Sequence, residues 1–313
     1  MIGAFLFRRT LTAVFVFWGA TFITYALMAL APGDASMEIA LARYGDTARG
    51  DTATIEWVRQ KAGLDRPMLV QYGRWLKHVL VLDFGKSLVE EVPVWTLIRS
   101  RFGNTLLLAV WAIGLALCLS IPIGILSGVK QGTWMDTMGV GFAVLGVSMP
   151  NYWLGLLLII VFCVKLQWLP SFGRGDWHHL ILPAITLGTG LTAYTTRMLR
   201  SAIIEAIHAD YLTALRARGV GKRLVLARHI LKNALIPVVT VVGLEFGMIL
   251  EGAVITETVF AWPGLGGLMV SAVSNRDYPL IQGLVLFTAG VFVAINLLVD
   301  LVCLYLDPRI RLS

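Results

Sequence analysis

Long charge-poor runs alternate along this chain with short stretches crowded with charge. A helix needs about 20 apolar residues to cross about 30 Å of hydrocarbon. The runs at 10–31, 104–128, 137–164, 180–196, 234–256 and 280–306 meet or approach that length. Inside hydrocarbon the backbone can bond only to itself, so each run is predicted to be helical. The expected fold is therefore an all-α integral membrane protein with six transmembrane helices. Pro122, Pro150, Pro183 and Pro237 predict kinks or helix starts, and Ser148-Met149-Pro150 interrupts the third run. Two segments are too long to be plain connectors. Segment 32–102 holds Trp57, Tyr72, Trp75 and Trp95 and predicts a small helical subdomain on the membrane surface. The other is 197–233. The N-terminal helix (1–31) and the 32–102 segment look like an addition to a five-helix core within 103–306, with 307–313 as a tail. No internal repeat or low-complexity tract is visible.

Composition agrees with lipid burial. Apolar residues make up 57% of the chain and charged ones 14%, and the mean hydropathy is +0.77. A soluble domain carries about 25% charged residues, so lipid has to cover part of this surface. Cys118, Cys163 and Cys303 lie far apart inside apolar runs and read as small hydrophobes, not as a disulfide or metal pattern. The run after Arg8-Arg9 is longer than a signal peptide's apolar core and has no small-x-small site before Pro32, so it reads as a retained span.

The net charge of +7 is an orientation signal rather than a nucleic-acid footprint. Segment 197–233 holds eight Lys and Arg against Glu205 and Asp210, whereas 32–102 is nearly balanced at ten basic to nine acidic. Short basic loops stay in the cytoplasm. This places 197–233 and both termini in the cytoplasm and 32–102 outside.

Segment 202–237 reads AIIEAIHADYLTALRARGVGKRLVLARHILKNALIP. Ile203, Ile207, Leu212 and Leu215 approximate helical spacing, Gly219 and Gly221 break it, and a second helical stretch follows. Such a knob could plug its apolar face into a partner's groove. Equally, it could lie on anionic headgroups as an amphipathic loop.

ADYLTALRARG followed by RHILKNALIP resembles the coupling-loop signature of ABC importer permeases of the dipeptide, oligopeptide and nickel family. Asp210 and Tyr211 match its acidic-Tyr pair. Ala214, Arg216, Ala217 and Gly219 match its Ala-Arg-Ala-x-Gly core, and His229, Asn233 and Pro237 match its closing element. The general importer signature opens Glu-Ala-Ala, where this chain has Thr213-Ala214-Leu215. The resemblance covers almost the whole chain. It includes Gly63-Leu64-Asp65-Arg66-Pro67, Gln71-Tyr72, Asp83-Phe84-Gly85-x-Ser87, the run from Thr256 to Gly266, Arg276-Asp277-Tyr278-Pro279 and Asp307-Pro308-Arg309.

The resemblance implies a type I importer core, with 197–233 as a cytoplasmic coupling loop. It implies a second permease, two ATPase subunits and a substrate-binding protein, periplasmic or lipid-anchored, at the bacterial inner membrane. No G-x-x-x-x-G-K-[ST] loop is present, so ATP and Mg²⁺ are expected on the partner ATPases and no cofactor or catalytic residue in this subunit. Alternating access driven by those ATPases is the expected mechanism.

Glu245, Glu251 and Asp300 lie within expected spans, where an ionisable residue is a functional candidate by default. The family commonly has Asp at 300, Gln at 245 and Gly at 251. Six helical residues put Glu245 and Glu251 about 120° apart and about 9 Å along the axis. Both can therefore border one pathway, and simple packing is the alternative. Two added negative charges, with the short 166–184 loop typical of nickel-type members, lean the substrate towards nickel or a metal chelate. Di- or oligopeptides are the alternative. Asp176-Trp177-His178-His179 is not expected to be a metal site, because adjacent histidines on a helix point about 100° apart and no further carboxylate or Cys completes the set. The competing class is a proton-coupled secondary transporter, which would need inverted repeats that the sequence does not show.

Overall fold

A computed structural model describes residues 2–48, 51–209, 212, 215, 219–221 and 224–306. Among them the chain is helical, with no strand and one isolated bridge between Lys86 and Pro93. It divides into two compact units. Of the described residues, one unit comprises 2–105 with 263–293, and the other 106–262 with 294–306.

The first unit begins with the helix Ile2–Leu30, whose Phe15, Leu27 and Leu30 are largely exposed, as a lipid-facing helix requires. Three short helices follow, Ala35–Tyr44, Thr52–Ala62 and Met68–Val79, and Ile39, Ala40, Ala48 and Val58 form a small core among them. Local chemistry sets their ends. Asp34 accepts from the Ser36 amide at 2.9 Å and Asp51 from the Ala53 amide at 3.1 Å, satisfying donors that the first helical turn leaves open. Gly63, at φ 69°, closes the second of them in the left-handed region where a Cβ is disfavoured.

Polar stitches hold this unit together. Tyr25 donates its hydroxyl to Gln71 at 2.7 Å, and Tyr72 and Thr21 share a hydrogen bond at 3.0 Å. Asp277, buried, accepts from the Ser87 hydroxyl and from the Leu88 amide at 3.0 Å. Arg276 donates to the carbonyls of Pro32 and Gly33. Val94, Ile98, Leu268, Leu280, Ile281 and Leu284 form the apolar core beneath.

In the second unit the helix His178–Ile207 is the central element. Leu182, Thr186, Leu199 and Ile203 on it are almost completely buried. Thr186, Thr189, Thr192 and Thr196 each return a hydroxyl hydrogen bond to the carbonyl four residues back, at 2.6 to 2.8 Å. A hydroxyl satisfied within its own helix can be buried at little cost. Small residues let neighbouring helices approach: a Cβ on Gly188 would lie 2.7 Å from the Ala112 carbonyl oxygen, and one on Gly128 would lie 2.8 Å from Ile203. Asp136 and Arg200 form a bidentate ion pair at 2.6 and 2.8 Å.

Among the described residues, three helical stretches are long and apolar enough to cross a membrane, Leu11–Leu30, Val94–Val129 and Tyr278–Val302. The bent pair Trp134–Gly146 and Asn151–Lys165 makes a fourth if it is counted as one span. The third expected span is thus not a straight helix but a pair bent by 99°. Pro150 lacks an amide donor and pushes Met149 into extended backbone, at φ −95° and ψ 126°, which ends the helix. Runs 180–196 and 234–256 lie inside the helices His178–Ile207 and Leu231–Val259. The former is longer than its charge-free run, because Arg197 and Arg200 continue the helix rather than end it.

Candidate functional site

The described apolar residues of 197–233 pack against the second unit's helices. His178–Ile207 ends at His208, and Leu212, Leu215 and Gly219–Gly221 are placed after it. Asp210, Tyr211, Ala214, Arg216 and Ala217 lie outside the described residues. Leu212 is completely buried, in one cluster with Leu199, Ile203, Val225, Ile230, Ala234 and Val238. Leu117, Ile121 and Ile125 pack against the same cluster. The Val220 amide donates to the Leu215 carbonyl at 3.3 Å, and Gly219 turns the chain at φ 76°.

The apolar face of the segment, open in the sequence to a partner or to headgroups, is in part taken up by the chain itself. Ile203 and Leu212 are spent inside their own chain, and Ile203 and Ile207 complete the long helix instead of opening a separate amphipathic one. What the described part turns outward is Glu205, His208, Leu224 and Arg228. The next stretch, Val225–Ile230, is wound as a π turn. Its i to i+5 pattern brings Val225 and Ile230, both buried, to one side. His229 in this turn is half-buried and held by a partner. The hydrophobic spacing alone gave no signal of this widened turn.

Glu245 is half-buried on Leu231–Val259, one residue before Phe246, which packs against the core of Leu108, Ala112, Leu191 and Ile249. Glu251 is on the same helix, but its side chain lies outside the described residues, so the two carboxylates are not seen together. Asp300 is half-buried and partnered, as a structural carboxylate would be.

At the start of His178–Ile207, Asp176 accepts from the ring Nδ1 of His178 at 2.7 Å and of His179 at 3.0 Å. Those hydrogen bonds, His178's first, hold its carboxyl at about 2. Trp177 stacks on His178 with ring centroids 3.8 Å apart. The arrangement ties the loop to the helix start. Among the described residues no group of three or more His, Cys, Asp or Glu could hold a metal ion.

Known proteins match this architecture over nearly its whole length. Residues 120–312 match the family described as binding-protein-dependent transport system inner membrane component, and residues 1–109 match the N-terminal part of such membrane components. A glutathione transport system permease protein, GsiC, of Salmonella paratyphi A is 42% identical over 92% of each chain. A dipeptide transport system permease protein, DppB, of Alkalihalophilus pseudofirmus is 38% identical over 98% of this chain and 99% of its own. An inward-facing structure of the MetNI methionine ABC transporter shares the fold at TM-score 0.57 and 18% identity, covering 68% of this chain and 97% of that one. These relatives are named for glutathione and dipeptides, so the lean towards nickel has no support among them and the peptide alternative fits better. The chain belongs to the binding-protein-dependent inner membrane components, the membrane-spanning permeases of bacterial ABC importers.

Proposed function

We propose that this chain is a permease subunit of an ATP-driven importer of short peptides, working by alternating access. The observation that carries the substrate class is the near full-length identity of 42% and 38% to permeases named for glutathione and dipeptide transport. The proposed assembly has a second permease, two ATPases that bind ATP and Mg²⁺, and a substrate-binding protein. Six spans leave both termini and 197–233 in the cytoplasm and 32–102 outside, in line with the concentration of Lys and Arg in 197–233. Asp210, Tyr211, Ala214, Arg216, Ala217, Gly219 and His229 make up the coupling segment through which ATPase closure moves the spans. Glu245, with Glu251, borders the pathway, where a carboxylate can pair with a peptide's ammonium group.

The test is uptake by the complete complex in proteoliposomes, with labelled dipeptide, labelled glutathione and nickel offered separately. ATP-dependent peptide uptake is expected, abolished when the ATPases or the binding protein are left out. Peptide uptake driven by a proton gradient without ATPases would instead support a secondary transporter, and ATP-dependent uptake of nickel alone would remove the peptide reading.

A further inference from the structure

The small helical segment of the first unit carries a cleft of about 270 Å³, lined by Arg43, Lys61, Lys86, Ser87, Leu88 and Glu91 among others. Three of these are cations and one is an anion, so the cleft holds a surplus of positive charge. Glu91 already shows how a carboxylate is held there: Arg43 reaches one of its oxygens at 2.8 Å and Lys61 reaches the same oxygen at 3.1 Å. The first cause that lowers the Glu91 carboxyl is the Lys61 hydrogen bond, followed by the Arg43 charge, and the Lys86 charge also reaches it. Glu91 stands at φ 57°, a left-handed conformation uncommon for a residue with a Cβ. Arg43 also donates to the Leu88 carbonyl, yet its Nε–H is buried without an acceptor. A buried unpaired donor is costly, and this one sits on a guanidinium whose charge Glu91 already meets, so an incoming anion has to displace Glu91.

The surroundings are firmly built. Ser87 and Leu88 are fixed by Asp277, and the Ser87 amide donates to the Val92 carbonyl at 2.9 Å. Lys61 lies 4.4 Å over the Trp57 ring. Lys86 is exposed and makes no hydrogen bond or ion pair among the described residues. The cleft therefore has a preformed wall, a buried donor and one cation free to turn towards a ligand.

The geometry points to a carboxylate-binding site in this cleft that takes the free C-terminal carboxylate of a short peptide, in competition with Glu91. The cleft's size suits the end of a small ligand and not a protein face. The choice of a peptide as ligand rests on the proposed function above, whereas the carboxylate chemistry does not.

The experiment measures calorimetric binding to the complete importer in lipid nanodiscs, without its binding protein. The probes are trialanine, trialanine amide and glutarate. Trialanine and glutarate are expected to bind, with the amide weaker by about tenfold, about 1.4 kcal/mol. Lys86→Gln removes a side chain with no structural bond and should weaken both acids severalfold, while Glu91→Gln removes the competitor and should tighten them. Equal binding of acid and amide, or no response to Lys86→Gln, would overturn the site. If neither acid binds and Lys86→Gln weakens only docking of the binding protein, the cleft receives an acidic side chain of that protein and the small-ligand proposal falls. Glutarate binding that depends on Lys86 upholds the site even where peptide uptake fails, which separates this inference from the peptide reading.

Discussion

Arg200 and Asp136 show how a single pair can fix two helices. Arg200 meets both carboxylate oxygens, and the Gly132 amide adds a third hydrogen bond at 2.9 Å, on an Asp136 side chain that is only 7% exposed. Removing the arginine alone strands a buried charge, and such breaks cost about 3 to 5 kcal/mol. Arg200→Ala should therefore lower the thermal aggregation midpoint in detergent strongly, and Arg200→Ala with Asp136→Ala should recover part of the loss. A double variant as unstable as the sum of the singles would refute this coupling. The pair had no sequence signal, because its members are 64 residues apart and each alone reads as an ordinary flanking charge. Asp176 permits a sharper measurement. Its carboxyl is held at about 2, below the ordinary 3.8, by His178 and His179. A depressed carboxyl favours the fold above its unfolded value, and that contribution fades as pH falls through the folded one. The selectively labelled carboxyl carbon of Asp176 should titrate near pH 2, and should move up towards the ordinary range in His178→Ala with His179→Ala. An unchanged midpoint in that variant would show that the imidazoles are not the cause.

Helices differ in how openly the sequence announces them. The exposed apolar stretches, such as Leu11–Leu30, carry no charge, so the run itself reveals them. The central His178–Ile207 helix faces protein, so it can carry threonines and arginines and its run looks short. The periodicity of Ile203 and Ile207 was genuine, but it belonged to the end of this helix and not to the start of another. Packing decided that, through Leu212 folding back on Ile203. Two glycines on the helix make the same point testable. A Cβ at Gly188 would be 2.7 Å from the backbone oxygen of Ala112, which cannot turn aside, whereas a Cβ at Gly190 meets nothing within 4 Å. Gly188→Ala should cost about 1 to 3 kcal/mol of stability through forced separation of the helices. Gly190→Ala should be neutral or slightly stabilising, since alanine is the better helix former. Equal melting of the two variants would mean that the close approach does not exist.

At the scale of the whole molecule, the motifs that resembled an importer were legible one by one, while what they do to each other was not. Ser87 and Asp277 each stand in such a motif, 190 residues apart, and only the fold joins them in a hydrogen bond. The proposed coupling segment is similar: its resemblance to an importer motif was readable, but the burial of Leu212 among the chain's own helices was not. That burial changes the mechanical argument. A segment held only by its partner would transmit force weakly, because it could peel from its own spans. A segment nailed by Leu212 into the cluster of Leu199, Ile203 and Val238 moves those helices when it is pushed. Leu212→Ala removes the nail and leaves a cavity, at a cost of about 2 to 5 kcal/mol locally. The complex should still assemble and hydrolyse ATP, but with fewer peptides imported per ATP. Gly219 supplies the graded companion. No described residue lies within 4 Å of a Cβ there, so among the described residues Gly219→Ala meets only the left-handed backbone at φ 76°, a strain of about 1 to 2 kcal/mol. Gly219→Pro cannot reach that φ at all, since its ring holds φ near about −65°. Uptake should therefore fall modestly in Gly219→Ala and be lost in Gly219→Pro, with basal ATPase activity preserved in both. The ratio of import to hydrolysis, measured on matched proteoliposomes, is the reading that matters. If Leu212→Ala and Gly219→Pro keep the wild-type ratio, the segment is not the lever, and the force must enter the spans elsewhere.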